Sequence, residues 1–445
     1  MDKEYLIQEK PLKALLFFAF PMIIGNLFQQ FYTMVDSVVV GRFVGENALA
    51  AVGASYSLTN VFISIAIGGG VGASVLTSRY FGARDYRKMK NSVSTALLSF
   101  LVVSLILGGT GLAFGREIMV LLNAPADILE DAVVYLNIYF LGLPFLFMYN
   151  VLSSMFNALG RSRIPLYLLI FSSVFNIVLD VIMVCSFHLG VAGVAWATLI
   201  AQGISAVLAF LIFLKEMKQF SGKGEQAWFD GREFAGMCRI ALPSILQQST
   251  VSIGMMLVQS VVNGFGAQML AGYSAGMRIE SICIVPMAAM GNVMSSYTAQ
   301  NLGAGREDRV VKGYRTGYGL VFGFGLLLCV ILELFYRPLI VMFLGEEGTA
   351  LAVDTGISYM RFIGFFFTII GLKMITDGLL RGAGDMKMFT VANLVNLCLR
   401  VVVAVTMAPR FGIAFVWYAV PLGWLANYVI SYLEYRTGKW RYSKK

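Results

Sequence analysis

The sequence predicts an all-α polytopic membrane protein: twelve transmembrane helices in two six-helix lobes. Three observations predict it. The 445 residues are 58% hydrophobic and only 13% charged, where a soluble domain carries about 25% charged residues. The mean hydropathy is +0.75. Twelve apolar runs each reach the roughly 20 residues that a helix needs to cross a bilayer core of about 30 Å. The second six runs repeat features of the first six at a spacing of about 220 residues. The spans of a membrane β-barrel would be shorter and would alternate, which these do not.

The first six spans are read as 14–40, 48–76, 92–115, 132–158, 164–188 and 190–214. A charged stretch, Met1 to Lys13, precedes the first. It lacks a small-residue cleavage site, so run 14–40 is expected to be a retained span and not a signal peptide. The second span carries Gly68, Gly69, Gly70 and Gly72, a pattern for close helix packing. The fifth holds Asp180 and the sixth Thr198. The second six are read as 236–262, 267–299, 313–335, 353–380, 388–408 and 412–433. Pro21, Pro144, Pro243 and Pro286 fall inside spans and are expected to kink them. The domains follow: an N-lobe over 1–218, a cytoplasmic linker over 219–235 with Ser221, Gly222 and Gly224, and a C-lobe over 236–445.

Basic residues set the orientation. Arg42, Arg116, Arg337 and Arg410 lie on one side of the spans; Arg278, Arg361, Lys373 and Arg400 lie within them. The other 26 of the 34, from Lys3 to Lys445, fall on the opposite side. That side is the cytoplasm, and both termini are expected there. The net charge of +9 is thus topological, and a nucleic-acid partner is excluded. Cys185, Cys238, Cys283, Cys329 and Cys398 show no paired spacing and are read as small apolar core residues. The single histidine, His188, ends a span. With no HExxH or GxSxG motif present, no enzyme is expected.

The repeat is specific. Ser74, Thr77, Gly82 and Ala83 correspond to Ser295, Thr298, Gly303 and Ala304 at an offset of 221. Pro21 corresponds to Pro243, Asn176 to Asn396 and Gly190 to Gly412. Six spans per half give both halves the same orientation, a parallel repeat about an axis along the membrane normal.

Asp36 and Asp180 carry the chemistry. A carboxylate at the centre of a span costs about 3 kcal/mol on insertion scales and marks an ion or proton path. Gln29, Tyr32 and Asp36 share one face of the first span, and Asn176 and Asp180 share a face of the fifth. With Thr198 they supply hard oxygen ligands or a proton-accepting pair, because close carboxylates in low dielectric hold a shared proton. Either H⁺ or Na⁺ fits this set. In the second half, Lys373 and Asp377 stand four apart and are expected to pair, while Arg278 and Glu280 do not share a face. Arg400 takes the repeat position of Asp180, which argues against a symmetric second cation site.

These residues together resemble the multidrug and toxic compound extrusion (MATE) family over essentially the whole chain. The resemblance is carried by the 6+6 repeat, by Pro21…Gln29-xx-Tyr32-xxx-Asp36, by Asn176-xxx-Asp180, and by FGARD at Phe81–Asp85, LGAGR at Leu302–Arg306 and RGAGD at Arg381–Asp385. It implies a V-shaped pair of lobes around a central cavity, in a bacterial cytoplasmic membrane. It implies a secondary antiporter that exports a small molecule while H⁺ or Na⁺ enters; an amphipathic, cationic substrate is expected, with no other cofactor or metal, and the repeat, which already supplies two lobes, makes a monomer the expectation. Asp36, Asn176, Asp180 and Thr198 look like its cation site, and Pro21 matches a proline linked to bending. Gln29, Tyr32, Gln247, Gln248, Met255, Arg278, Glu280, Lys373 and Asp377 are candidates for the substrate cavity. Span seven lacks the acid that some branches use there. The basic C-lobe groups leave two alternatives open: an anionic or zwitterionic substrate, or the lipid-linked saccharide of flippases in the same superfamily.

Overall fold

A computed structural model describes residues 4–121, 125–220, 227–345 and 348–442. Lys3, Ser221, Gly222, Lys223, Gly224, Lys444 and Lys445 lie outside the described residues. Among those described, the chain is helical and has no strand. Eleven helices are long and apolar enough to cross a membrane. A twelfth span is a pair, α11 (Ala350–Gly364) and α12 (Phe367–Ala383), bent by 54°. The others are α2 (Pro11–Val39), α3 (Glu46–Gly82), α4 (Tyr86–Leu121), α5 (Leu129–Ala158), α6 (Arg163–Val181) and α7 (Gly190–Met217) in the first half. In the second they are α8 (Gly231–Asn263), α9 (Ala267–Gly303), α10 (Glu307–Leu344), α13 (Met386–Phe411) and α14 (Ala414–Thr437). A single turn, α1 (Tyr5–Gln8), precedes them.

The four span prolines lie inside unbroken helices. The broken span instead parts at Phe365 and Phe366, where the Phe366 amide turns back to the Ile363 carbonyl at 2.9 Å. Leu105 and Ile106 on α4, and Val330 and Leu334 on α10, are exposed. Such apolar surface is at home in lipid. The cysteines are not core residues as expected: Cys185 and Cys398 are exposed and the other three are half-buried. Thiols are apolar enough to face hydrocarbon as well as protein.

The chain divides into two compact units that do not follow the expected lobe limits. One is Ile24–Ile245; the other joins Met1–Ile23 to Leu246–Lys445. The start of α2 therefore belongs with the second half, and the start of α8 with the first. Local contacts explain both. The Arg309 guanidinium donates to the carbonyls of Leu6 at 3.2 Å and Glu9 at 2.6 Å, and Asn301 Nδ2 donates to Leu6 at 3.1 Å. In the first half, Tyr80 donates to Glu233 Oε1 at 2.9 Å. A Cβ on Gly72 would come within 2.7 Å of the Met237 carbonyl oxygen, and one on Gly68 within 2.6 Å of the Ile245 nitrogen. The glycines of α3 thus admit the start of α8. In the second unit, a Cβ on Gly378 would meet the Gly291 carbonyl oxygen at 2.1 Å, so α9 and α12 touch backbone to backbone. Each unit has its own apolar core, around Phe147 and Phe156 in the first and Tyr359, Phe367 and Trp417 in the second.

Candidate functional site

The first unit gathers α2, α5, α6 and α7 around two carboxyl groups. Both acid-bearing helices end in a π-helical turn: Val40–Val44 begins one turn after Asp36, and Ile182–Ser186 begins two residues after Asp180. Such turns add a residue to the helix and recur at functional sites. Val40 and Val184 pack in one apolar cluster with Ala48, Val191 and Val194. The two widened turns therefore meet over β-branched side chains, and the acids beside them converge.

The Asp36 and Asp180 carboxyl groups are in hydrogen-bond contact. Asp180 is buried and Asp36 half-buried. One oxygen of each, Oδ1, has no hydrogen-bond partner. Asn176 organises the rest. The amide orientation that satisfies its neighbours lets Nδ2 donate to the Tyr32 hydroxyl and, at 3.3 Å, to Asp180 Oδ2. Oδ1 then accepts from the Thr198 backbone amide at 3.1 Å. The Thr198 hydroxyl lies 3.4 Å from the same side-chain amide. Thr198 also lines a pocket with Tyr135, Tyr139, Leu146 and Gln202. Burying an unpaired acceptor costs about 1–3 kcal/mol, more if charged. Each carboxyl group thus holds a buried oxygen with no donor, on helices long and apolar enough to cross a membrane.

Asp36, Asn176, Asp180, Thr198 and Tyr32 thus come together. Gln29 does not join them; it is exposed, and its carbonyl accepts from Thr33 at 2.9 Å. Tyr135, Tyr139 and Gln202 were not anticipated. Their signal is in the sequence: Tyr135 and Tyr139 are four apart on span four, as are Thr198 and Gln202 on span six.

In the second unit the expected residues do not form one site: Lys373, Asp377 and Gln247 join through Asn393, and the others lie apart. Lys373 Nζ is 3.1 Å from Asp377 Oδ2, with both side chains buried. Asn393 Oδ1 accepts from Lys373 at 3.3 Å, Gln247 at 3.3 Å and Asn427 at 3.1 Å. Glu280 is buried against the Tyr359 hydroxyl, while Arg278 is exposed. Met255 is exposed and Gln248 half-buried. Among the described residues, no three His, Cys, Asp or Glu side chains cluster as a metal site.

Comparison with known proteins agrees with this architecture. The MatE family profile matches residues 21–182 and 243–406. The chain is 30% identical to the "Probable multidrug resistance protein YpnP" of Bacillus subtilis, covering 98% of this chain and 97% of that one. It is 25% identical to the "Multidrug export protein MepA" of Staphylococcus aureus over 72% of each. A solved structure described as the outward-facing conformation of a multidrug resistance MATE family transporter of the MOP superfamily superposes with a TM-score of 0.89. That match has 24% identity and covers 100% of this chain and 99% of the other. With its twelve spans in two repeated halves, its paired intramembrane acids and a family match across both halves, the chain belongs to the MatE family of membrane transporters.

Proposed function

We propose that this protein is a secondary antiporter that exports amphipathic, cationic organic compounds in exchange for H⁺ or Na⁺, with Asp36 and Asp180 as the coupling site. One observation carries the proposal: two carboxyl groups touch inside the membrane-spanning helices, and each keeps an oxygen without a donor. Two carboxyl groups hydrogen-bond only through a proton, so H⁺ is the simpler occupant. Na⁺ would use the free oxygens with the Asn176 and Thr198 oxygens. A cationic substrate and a coupling cation draw on the same negative charge. When the site cannot serve both, exchange follows from mutual exclusion. The relatives named for multidrug resistance and export support the substrate class. The bias of basic residues supports a cytoplasmic-membrane protein with both termini inside, and the internal repeat supports a monomer.

The test uses purified protein in liposomes loaded with a cationic dye, under a pH gradient or a Na⁺ gradient applied separately. One gradient drives dye flux, and Asp36→Asn or Asp180→Asn lowers that flux at least tenfold. Undiminished coupling in Asp36→Asn would remove the acid pair from the mechanism. Flux under neither gradient would remove the cationic substrate.

A further inference from the structure

The segment that leads into α8 is pinned to α4. The Ala227 amide donates to Asn91 Oδ1 and the Asp230 amide to Thr95 Oγ1, each at 3.0 Å. Asn91 and Thr95 are one turn apart on α4, so residues 227–230 lie along that helix over one turn. Asp230 then caps α8: its Oδ1 accepts from the Arg232 amide at 2.9 Å and from the Glu233 amide at 3.5 Å.

This fixed hook points its aromatic side chains outward. Trp228 is 85% exposed, and Phe229 and Phe234, with ring centroids 5.8 Å apart, are exposed as well. So much apolar surface held away from the protein marks a contact with something else. The headgroup level of a bilayer is where an indole is most at home. The helices show where that level lies. The start of α4 carries Arg87 and Lys90, and one turn past Thr95 an exposed apolar face begins with Leu98 and Leu101. On α8 the exposed residues change in the same way, from Arg232 and Arg239 to Leu242. The hook sits at this crossing on α4.

Positive charge is in excess there. Lys88 pairs with Asp85 at 3.6 Å. The other acids of the two helix starts already have donors: Asp230 the α8 amides, and Glu233 the Tyr80 hydroxyl at 2.9 Å. Among the described residues Arg87, Lys90, Arg232 and Arg239 make no ion pair, and these four outnumber the two acids. Arginine presents a fork of donors that matches a phosphate, and basic clusters beside a span attract anionic lipid.

We propose that residues 227–234, with the starts of α4 and α8, form a docking site for an anionic phospholipid, a phosphodiester whose headgroup carries no compensating cation. Trp228 and Phe229 enter the headgroup level, and Arg87, Lys90, Arg232 and Arg239 hold the phosphate. The proposal rests on the protein's standing in a membrane, and not on the acid pair, the coupling ion or the exported compound.

The experiment places the full-length protein in phosphatidylcholine bilayers that contain a minor share of either brominated phosphatidylglycerol or brominated phosphatidylcholine. Bromine quenches only an indole that it touches closely. The Trp228 signal is the difference between the unaltered protein and Trp228→Phe. Brominated phosphatidylglycerol is expected to quench that signal at least twofold more than the same share of brominated phosphatidylcholine. Replacing Arg87, Lys90, Arg232 and Arg239 together by glutamine should abolish the preference and leave ordinary quenching in place. Equal quenching by the two lipids overturns the proposal, and so does a Trp228 signal that neither lipid quenches. A preference that survives the fourfold replacement overturns it too. Loss of the preference on adding inorganic phosphate would assign the charges to a free anion and not to lipid. Should the fourfold variant fail to fold, Arg232→Gln with Arg239→Gln, both on the exposed face of α8, should halve the preference or more. Dye flux under a gradient tests the acid pair separately, so the two readings fail by different results.

Discussion

Replacing Lys373 with methionine should destabilise the protein far more than its conservative shape suggests. The stem is kept and one charge is lost. In α12 the ammonium lies 3.1 Å from Asp377 Oδ2, and each side chain is only 4% exposed. That oxygen has no aligned hydrogen bond, so the contact is an ion pair, while Asp377 Oδ1 accepts from Ser431 at 2.8 Å. Without Lys373, the buried carboxylate keeps the Ser431 hydroxyl and the field of the buried Arg381, and loses its direct ion-pair partner. Removing one member of a buried pair costs about 3–5 kcal/mol, whereas replacing both by apolar groups is close to neutral. In a unit of about 220 residues, each kcal/mol is worth about 2–4 °C. Lys373→Met should therefore melt roughly 6–20 °C lower. Lys373→Met with Asp377→Leu should recover most of that loss. Thermal unfolding of purified protein, followed by tryptophan fluorescence and checked by size-exclusion chromatography, measures both. A single variant within about 1 °C of the original, or a double variant no better than the single, would refute the reasoning.

Three further outcomes are expected, beside the loss of coupling in the acid variants. Burial, and then the neighbouring Glu434 carboxyl, push Asp385 up to about 6; unfolded, it titrates near 3.9. The folded state holds that proton more tightly, so the stabilisation is complete below pH about 4 and is lost as pH rises through about 6. Asp385→Asn should thus gain about 1 kcal/mol at pH 7.5, allowing for the screening of a partly exposed group, and nothing at pH 4; a gain equal at both pH values counts against it. Arg309→Ala frees the carbonyls of Leu6 and Glu9, so limited proteolysis should cut the first ten residues sooner while the rest stays resistant. Gly378→Ala forces a Cβ against the Gly291 backbone, which cannot move aside, at a cost of about 1–3 kcal/mol. Gly109→Ala meets nothing within 4 Å and should melt unchanged.

Much of this molecule is legible in the sequence because lipid makes the code simple. Every span must be a closed helix, so apolar run length alone finds it. A carboxylate in such a run is conspicuous, and the shared faces of Tyr32 with Asp36 and of Asn176 with Asp180 survive into the structure. Other features leave no such trace. The π-helical turns after Asp36 and Asp180 bring Val40 and Val184 into one apolar cluster, and no residue pattern within either span marks them. The break at Phe365 and Phe366 contains no proline, so proline positions do not locate it. The polar side chains of the second half look like cavity residues in sequence. In the structure, Lys373, Asp377, Gln247 and Asn393 satisfy one another, a pairing across three helices that no single-span pattern encodes.

The exchange of helix beginnings has a consequence for synthesis. Residues 1–23 leave the ribosome first, yet they complete the unit that is finished last, from residue 246 onward. More than two hundred residues must be made and inserted before Leu6 and Glu9 meet Arg309. The first unit closes only when the start of α8 has been translated, well beyond the sixth span. Contacts of such long sequence separation form late, and the opening segment waits meanwhile in an unpaired state. A gene cut at the linker would yield two fragments, each lacking the piece that the other encodes. Such fragments should fold poorly alone and regain transport only when expressed together.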